Sequence, residues 1–319
     1  MSTSGDLDLL DAYRIMWLIR TFEDRVQDLF VQGDVSGTTH LCQGQEAVAA
    51  GVCSALRQDD YMTCTYRGHG QVLAKGADPA GALAEIMGRG NGLCRGLGGS
   101  MHLADAGCGA LGSFAIVGAG LPVATGAAWS IRLRGTDQVA VAFFGDGSVN
   151  IGAFHESLNL AAVWRLPAIF VCENNLYGEY TPFARTSPVA HVADRAAAYA
   201  MPAERVDGND VEAVFDVARR AVERARAGGG PTLIECETYR QRGHSRSDPG
   251  TYRPREEVEH WLDRDPLKLT FARLQGRGLL DAAADARIQA EARERIDAAE
   301  LTARETAVLE EDLAGYVYA

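Results

Sequence analysis

The sequence predicts an α/β fold with a doubly wound, mostly parallel sheet flanked by helices. Two apolar runs carry this prediction, one at 139–144 and one at 168–172. The segment between them has helical spacing, with Phe154 and Leu158 on one face. Strand, helix and strand in that order form a parallel crossover unit, and such units are almost always right-handed. A further helix-and-strand step at 211–236 extends the same pattern, as a doubly wound sheet requires.

Composition restricts the class of protein. The chain has 319 residues, of which 47% are hydrophobic and 23% charged, as in a globular protein with a large core. Its net charge of −12 argues against a general surface for nucleic acid or for an anionic membrane. We see no apolar run of membrane-spanning length.

The cysteines and the first residues bear on location. Seven cysteines are scattered without a Cys-x-x-Cys pair, which favours free thiols in a reducing cytosol over disulfides or a zinc site. The first residues lack a basic segment followed by an apolar one, so we expect no secretory signal peptide. We therefore expect a cytoplasmic protein.

The first third of the chain alternates helices with loops that carry polar motifs. A long helix at 6–32 has too many apolar residues for one narrow stripe, so we expect burial on more than one side. Gly33-Asp34 ends it. The remaining elements predicted here are a helix at 45–56, a strand at 61–65, a helix at 79–87 and a glycine-rich loop at 88–99 that we expect to be ordered.

The rest of the chain continues the alternation. The predicted elements are an Ala-rich helix after 118–122 that runs to about Leu133, the crossover unit at 139–172, a helix at 191–199, a strand end at 206–210, a helix at 211–227, a strand at 232–236 and helical structure at 254–311. We predict one domain over 1–265, which includes the N-terminal helix. Residues 266–319 form a helical C-terminal extension that packs on this domain or on a partner subunit.

Polar residues follow both apolar runs of the crossover unit. Gly145-Asp146-Gly147-Ser148 comes after the first run and Glu173-Asn174-Asn175 after the second. Parallel strands end at the same edge of a sheet, so Asp146 and Asn175 should face one crevice. Carboxylate and amide oxygens suit Mg²⁺, and glycines next to a helix N-terminus suit a phosphate. The pattern indicates a magnesium–diphosphate site; the alternative is a plain turn and a capped strand end.

Three other segments carry candidate residues. Arg67, between Tyr66 and Gly68, could clamp a phosphate, although a surface carboxylate is an equal alternative. His40 lies in the approach to a helix and taken alone is a loop histidine. The loop 238–250 combines arginines with His244 and suits an anionic ligand, unless it is an ordinary surface loop.

Together these segments resemble the α subunit of the E1 component of 2-oxo acid dehydrogenase complexes. The matching motifs are those at 40–46, 66–70 and 98–102, the spaced Gly-Asp-Gly and Asn-Asn pair of the thiamine diphosphate-binding motif, and the segment 243–249. The resemblance extends from about residue 8 to 265 and is closest to the pyruvate and acetoin dehydrogenase branches. It implies the thiamine diphosphate-binding fold.

The resemblance also implies residue roles. It places Mg²⁺ on the side chains of Asp146 and Asn175 and on the main-chain oxygen of Tyr177. The other implied positions are Gly147, Ser148, Tyr66 and Arg67 at the diphosphate, Ile116 and Val117 near the pyrimidine ring of thiamine diphosphate, and His40 and His244 as catalytic histidines that border the diphosphate and the substrate.

The implied activity is decarboxylation of a 2-oxo acid, above all pyruvate, with transfer of the acyl group to a lipoyl group on the E2 component. The family takes the glutamate that activates the cofactor from a β subunit, so we expect an α₂β₂ heterotetramer. The alternatives are an acetoin dehydrogenase E1 α subunit, a thiamine diphosphate-dependent carboligase or lyase, and an inactive regulatory subunit.

The chain departs from the family pattern at a few positions. Ser113-Phe114-Ala115 stands where Gly-Asn-Gly is common, and Phe114 is expected to reshape the substrate pocket. Arg242 stands where a histidine is frequent. Ser245 and Ser247 match positions that are phosphorylated in mitochondrial relatives, and nothing in the sequence indicates a kinase.

Overall fold

A computed structural model of the chain describes residues 6–35 and 37–308. Within these residues, a six-stranded parallel sheet has the order β2-β1-β3-β4-β8-β7, and β5 pairs with β6 in a small antiparallel ribbon. The strands are β1 Tyr61–Thr65, β2 Ala110–Phe114, β3 Ala140–Gly145, β4 Ala168–Asn174, β5 Tyr177–Gly178, β6 Thr181–Pro182, β7 Ala203–Asp207 and β8 Thr232–Glu237. The doubly wound α/β prediction is confirmed.

Helices cover both faces of the sheet. The α-helices are α1 Leu9–Gln32, α2 Glu46–Ser54, α3 His69–Ala74, α4 Pro79–Ile86, α5 Gly120–Arg134, α6 Gly152–Val163, α7 Val211–Arg226, α8 Arg255–Asp263, α9 Pro266–Gly276 and α10 Ala282–Ala303. In the described part of the chain, no helix is both long and apolar enough to cross a membrane.

The central strands are apolar because both of their faces are buried, as is typical of a parallel sheet between helix layers. Along β3, Val141 and Phe143 contribute to the core on one face of the sheet. Ala142 and Phe144 contribute to the core on the other. The period of two along the strand thus divides one apolar run between two cores.

Helix α1 is buried on two sides, as its sequence predicts. Phe22 and Val26 join the core beneath the sheet, whereas Tyr13 and Met16 pack in a separate cluster with residues of α9 and α10. Asp8 caps the helix at its N-terminus, and Gly33 ends it with a φ of 85°, a conformation that favours glycine.

Some elements differ from the sequence prediction. Strand β2 and helix α3 lie where we predicted no helix or strand. The predicted helix at 191–199 is a 3₁₀ helix at Ala193–Tyr199. The helical region at 254–311 is divided into three helices, and its last residues, like 309–319 of the predicted extension, lie outside the described residues. The domain boundary at 265 stays a prediction.

The glycine-rich loop before β2 is ordered around one buried carboxylate. Glu85, at 0% exposure, accepts backbone N–H groups of the loop at 2.6–3.1 Å. The donors are Cys94, Gly96, Gly98 and Gly99. The carboxylate therefore fixes a loop that has few side chains to hold it.

We expect Glu85→Ala to lower the free energy of unfolding by roughly 2–4 kcal/mol. Four N–H groups lose their acceptor, and a fully buried one costs about 1–3 kcal/mol, but these donors are only half-buried and can turn in part to water. Chemical denaturation measures the loss. Glu294→Ala, at an exposed position of α10, is the control. A change of under about 0.5 kcal/mol for Glu85→Ala, the usual range for surface substitutions, would contradict this role.

Candidate active site

The ends of β3 and β4 open into one crevice. Gly145 pairs with Glu173 at the ends of these strands, so Asp146 and Asn175 follow at the same edge. The crevice has a volume of about 520 Å³. Its lining includes every residue to which we assigned a role: His40, Tyr66, Arg67, Ile116, Val117, Asp146, Gly147, Ser148, Asn175, Tyr177 and His244. The structure brings these residues together, and their roles stay predictions.

The oxygen atoms predicted to hold a metal are arranged around a buried arginine. Arg240, at 1% exposure, donates from Nε to Asn175 Oδ1 at 3.1 Å and from Nη2 to the carbonyl oxygen of Tyr177 at 3.5 Å. Asp146 is also buried, and its Oδ2 has no hydrogen-bond partner among the described residues. Burial raises the pKa of the Asp146 carboxyl from 3.8 to about 6. A bound cation would compensate this carboxylate.

The backbone after Asp146 comes close to the neighbouring ribbon. A side chain on Gly147 would place its Cβ 3.2 Å from the Cα of Gly178, so any larger residue would push the ribbon away by a few tenths of an ångström. Ser148 Oγ donates to the carbonyl oxygen of Gly145 at 2.6 Å, which closes a tight 3₁₀ turn ahead of α6. The residues of the turn line the crevice and lie just ahead of the N-terminus of α6, a common arrangement for binding phosphate.

Arg67 enters the crevice from the opposite wall. It is 5% exposed, and its guanidinium donates to the carbonyl oxygens of Leu41 at 2.6 Å and His244 at 2.8 Å. Burial, and then the nearby charge of Arg240, lower the pKa of Arg67 to about 10. Arg67 is buried and pairs with main-chain carbonyl oxygens, so the alternative that it pairs with a surface carboxylate is wrong. Two buried guanidinium groups in one crevice favour an anion there.

The two histidines lie together. The ring centroids of His40 and His244 are 5.0 Å apart, and Tyr66 lies 4.4 Å from His40. Burial and then the positive charge of Arg67 lower the pKa of His40 to about 3 and that of His244 to about 4. Both rings are therefore neutral near pH 7, and the Nδ1 atom of His40 has no partner within the described chain.

These shifts predict how the cofactor-free chain responds to acid. Below the usual histidine pKa of 6.5, the unfolded chain takes up protons that folded His40 and His244 do not. The free energy of unfolding should therefore fall as the pH drops from 6.5 towards 4. The double variant His40→Gln, His244→Gln should show a shallower fall in denaturation curves across this range. His260→Gln, at an exposed position, is the control. An equally steep fall of the unfolding free energy in the wild type, the double variant and the control would show that the pKa values of His40 and His244 are not lowered.

The residues that depart from the family pattern fall in different places. Phe114 lines the crevice, and its ring lies 3.5 Å from where Cβ atoms would stand on Gly112 and Gly120. Arg242 is exposed, donates to Gln43 and lies outside the crevice lining. The hydroxyls of Ser245 and Ser247 are 3.2 Å apart.

Sequence reasoning missed Arg240, Gln45 and Glu173 as crevice residues. Gln71 Nε2 donates to Glu173 Oε1 at 2.8 Å, and Asn175 Nδ2 donates to Gln45 Oε1 at 3.4 Å. Burial raises the pKa of Glu173 to about 7. The only sequence signals are the position of Glu173 at a strand end and that of Arg240 just after β8. Neither distinguishes a buried residue from an exposed one.

The crevice fits a metal-bound diphosphate. Buried polar atoms without a partner among the described residues include Asp146 Oδ2 and Arg240 Nη1, and both residues line this crevice. One is an oxygen that suits a cation, and the other is a nitrogen that suits an anion. A divalent cation with a diphosphate would supply partners for both.

Comparison with known proteins gives a consistent result. The model of the family described as "Dehydrogenase E1 component" matches residues 14–311. The α subunit of an acetoin:2,6-dichlorophenolindophenol oxidoreductase from Bacillus subtilis is 53% identical over 257 residues, covering 80% of this chain and 77% of that protein. The protein of the same name from Cupriavidus necator is 46% identical over 262 residues, which cover 82% and 79% of the two chains. The α subunit of the pyruvate dehydrogenase E1 component from Rhizobium meliloti is 44% identical over 272 residues, 85% of this chain and 78% of that one.

Proposed function

Because this chain belongs to the dehydrogenase E1 component family, we propose that it is the α subunit of a thiamine diphosphate-dependent 2-oxo acid dehydrogenase E1 that acts on pyruvate. One observation carries the proposal. Asp146 and Asn175 at the strand ends share a crevice with Arg67 and with the paired histidines. Side chains suited to binding a metal, binding an anion and transferring a proton thus line one crevice.

The chain's own groups would have distinct tasks. Asp146, Asn175 and the Tyr177 carbonyl would hold Mg²⁺, and Arg67 would bind the diphosphate. Thiamine diphosphate, when bound, supplies the carbanion and the electron sink that decarboxylation needs. Ile116 is 74% exposed on the crevice rim and would contact the cofactor's pyrimidine ring.

The histidines would handle protons. Each is neutral near pH 7 because its pKa is lowered, so each can accept a proton or donate one N–H to a substrate oxygen. Tyr66 packs against both rings and limits their rotation. The Nδ1 atom of His40 is free for this task within the described residues.

The proposal includes partners. A β subunit would supply the glutamate that activates the cofactor and complete an α₂β₂ heterotetramer, and the acyl group would pass to the lipoyl group of an E2 component. The α-subunit names of the relatives support the β partner. We also propose a cytoplasmic location, in line with seven unpaired cysteines.

Acetoin is the second candidate substrate. The Bacillus subtilis relative named for acetoin is 53% identical, against 44% for the Rhizobium meliloti relative named for pyruvate. Acetoin carries no carboxylate, so a crevice that binds it would need no positively charged side chain facing the substrate.

The test is ferricyanide reduction by the αβ complex with Mg²⁺, thiamine diphosphate and a panel of 2-oxo acids and acetoin. Cofactor-dependent reduction with pyruvate preferred is the expected result. Preference for acetoin would refute pyruvate as the substrate, while the proposed cofactor chemistry would stand. A product with a new carbon–carbon bond and no reduction would favour a carboligase. No reaction with any substrate, although the cofactor is bound, would favour an inactive regulatory subunit.

A further inference from the structure

Glu23, His69 and Ser100 form a buried chain of hydrogen bonds beneath the crevice. Glu23 lies on α1 at 0% exposure, and its Oε1 accepts the backbone N–H of Cys42 at 2.8 Å. Its Oε2 lies 2.9 Å from Nδ1 of His69, which is also 0% exposed. On the other side of the ring, Nε2 lies 3.0 Å from the hydroxyl and 3.2 Å from the carbonyl oxygen of Ser100.

His69 joins two segments to Glu23. Its Nδ1 faces the carboxylate of Glu23, and its Nε2 faces both the hydroxyl and the carbonyl oxygen of Ser100. The hydroxyl can donate or accept, so both ring nitrogens are engaged. Burial alone would raise the pKa of Glu23, but His69 and the N–H of Cys42 bring it below its usual value. Glu23 and His69 are therefore joined by a fully buried hydrogen-bonded contact, and removing one partner of such a contact is costly because the other is left buried without it.

Each segment that this hydrogen-bond network joins carries a residue that lines the crevice. Cys42 follows His40 by two residues, His69 follows Arg67 by two, and Ser100 directly precedes Met101. His40, Arg67 and Met101 all line the crevice. Three segments that are distant in sequence thus converge on one carboxylate outside the crevice.

Serine, histidine and glutamate in this order are also the groups of a nucleophilic relay. Ser100 is 5% exposed and does not line the crevice, so a substrate there cannot reach its hydroxyl. The geometry therefore fits positioning and does not fit catalysis by Ser100.

We propose that Glu23 is a positioning residue, which through Cys42, His69 and Ser100 fixes the placement of the three crevice segments relative to one another. The kinetic consequence rests on the proposed function, and the structural consequence does not. Loss of the Glu23 carboxylate loosens all three segments at once. Loss of the Ser100 hydroxyl loosens only the segment that carries Met101.

The test compares Glu23→Gln and Ser100→Ala with the wild-type αβ complex by hydrogen exchange and by steady-state kinetics. Tyr13→Phe is the matched control. It removes another buried contact of α1, the 2.7 Å hydrogen bond to Asp285, in a helix cluster outside the crevice. Glu23→Gln should speed amide exchange at both 40–44 and 98–102, Ser100→Ala only at 98–102, and Tyr13→Phe at neither.

Glu23→Gln should also lower kcat more than it lowers the affinity for the cofactor. Misplaced groups cost up to about a hundredfold in rate, so we expect Glu23→Gln to lower kcat roughly tenfold or more. The affinity for Mg²⁺–thiamine diphosphate should fall less than kcat does, because Arg67 lies in a loosened segment but Asp146 and Asn175 follow β3 and β4, which carry none of the residues of this network. Uniform acceleration of exchange across the chain, or exchange and kcat equal to those of Tyr13→Phe, would overturn the proposal.

The proposal can still be decided if Glu23→Gln does not fold or if the wild-type complex is inactive. If Glu23→Gln does not fold, Ser100→Ala decides, and unchanged exchange at 98–102 would then overturn the proposal. If the wild-type complex turns over no substrate, the proposed function fails. The exchange pattern still decides whether Glu23 positions the crevice.

Discussion

Replacing Asp146 with asparagine should weaken Mg²⁺-dependent binding of thiamine diphosphate by a hundredfold or more and abolish turnover, while the cofactor-free chain gains stability. The two effects have opposite signs because one carboxylate causes both. Changes in residues that merely support a metal ligand cost about 10–100-fold in affinity or activity, and loss of the anionic ligand itself should cost at least as much.

The stability gain follows from the raised pKa of Asp146, about 6 in place of 3.8. Between these values the folded chain binds a proton that the unfolded chain has lost. The free energy of unfolding therefore falls as the pH rises through this window. Asparagine removes this dependence, so the gain should reach at most about 3 kcal/mol at pH 7 and vanish below pH 4.

Calorimetric titration and denaturation at pH 4 and pH 7 measure both effects. Asp194→Asn, at an exposed position, is the control and should change neither. An Asp146→Asn protein that binds the cofactor normally would remove Asp146 from the metal site. One that is destabilised at pH 7 would show that the carboxylate has a structural partner.

The sequence predicted the centre of the fold because its signal there is local. Strands β3 and β4 are continuous apolar runs, buried on both faces. Strand β2 gives no such signal, since it is short, half-buried at its end and contains Gly112. Helix α3 has six residues and follows a polar motif, so its helical spacing is too short to detect.

The residues of the site also differ in how far the sequence alone could predict them. Asp146 and Asn175 could be found because parallel strands end at one edge. The positions of His40 and His244 depended on the resemblance to a family. No local pattern indicates that Glu23, on a long helix, is buried against His69, because that contact joins residues 46 positions apart. Buried polar networks of this kind are set by tertiary structure.

Without a β subunit, the chain should show no cofactor-dependent turnover, and adding that subunit should restore it. In the function that we propose, the β subunit supplies the activating glutamate, and the crevice rim of this chain is open. Ile116 and Val117 are 74% and 45% exposed on the rim. An apolar rim of this kind is expected to be covered by a partner.

The apolar surface continues from the rim onto α5 and α6. Val123 and Leu133 on α5 and Val163 on α6 are 40%, 72% and 67% exposed. The rings of Trp129 and Trp164 meet between these helices with centroids 5.3 Å apart. The α5 helix begins three residues after Val117, so its exposed apolar residues start close to the rim. A β subunit that completes the cofactor site is therefore expected to bind here.

Leu133→Asp tests this face. A buried charge without a partner is costly in an interface, so the variant should fail to form the αβ complex in sedimentation experiments and lose turnover, although its fold is retained. Leu301→Asp is the matched control, because Leu301 is equally exposed at 72% but lies on α10. Assembly by the Leu133 variant would place the β subunit on another face. Turnover by the chain alone would remove the requirement for β, and with it the reason for the open rim.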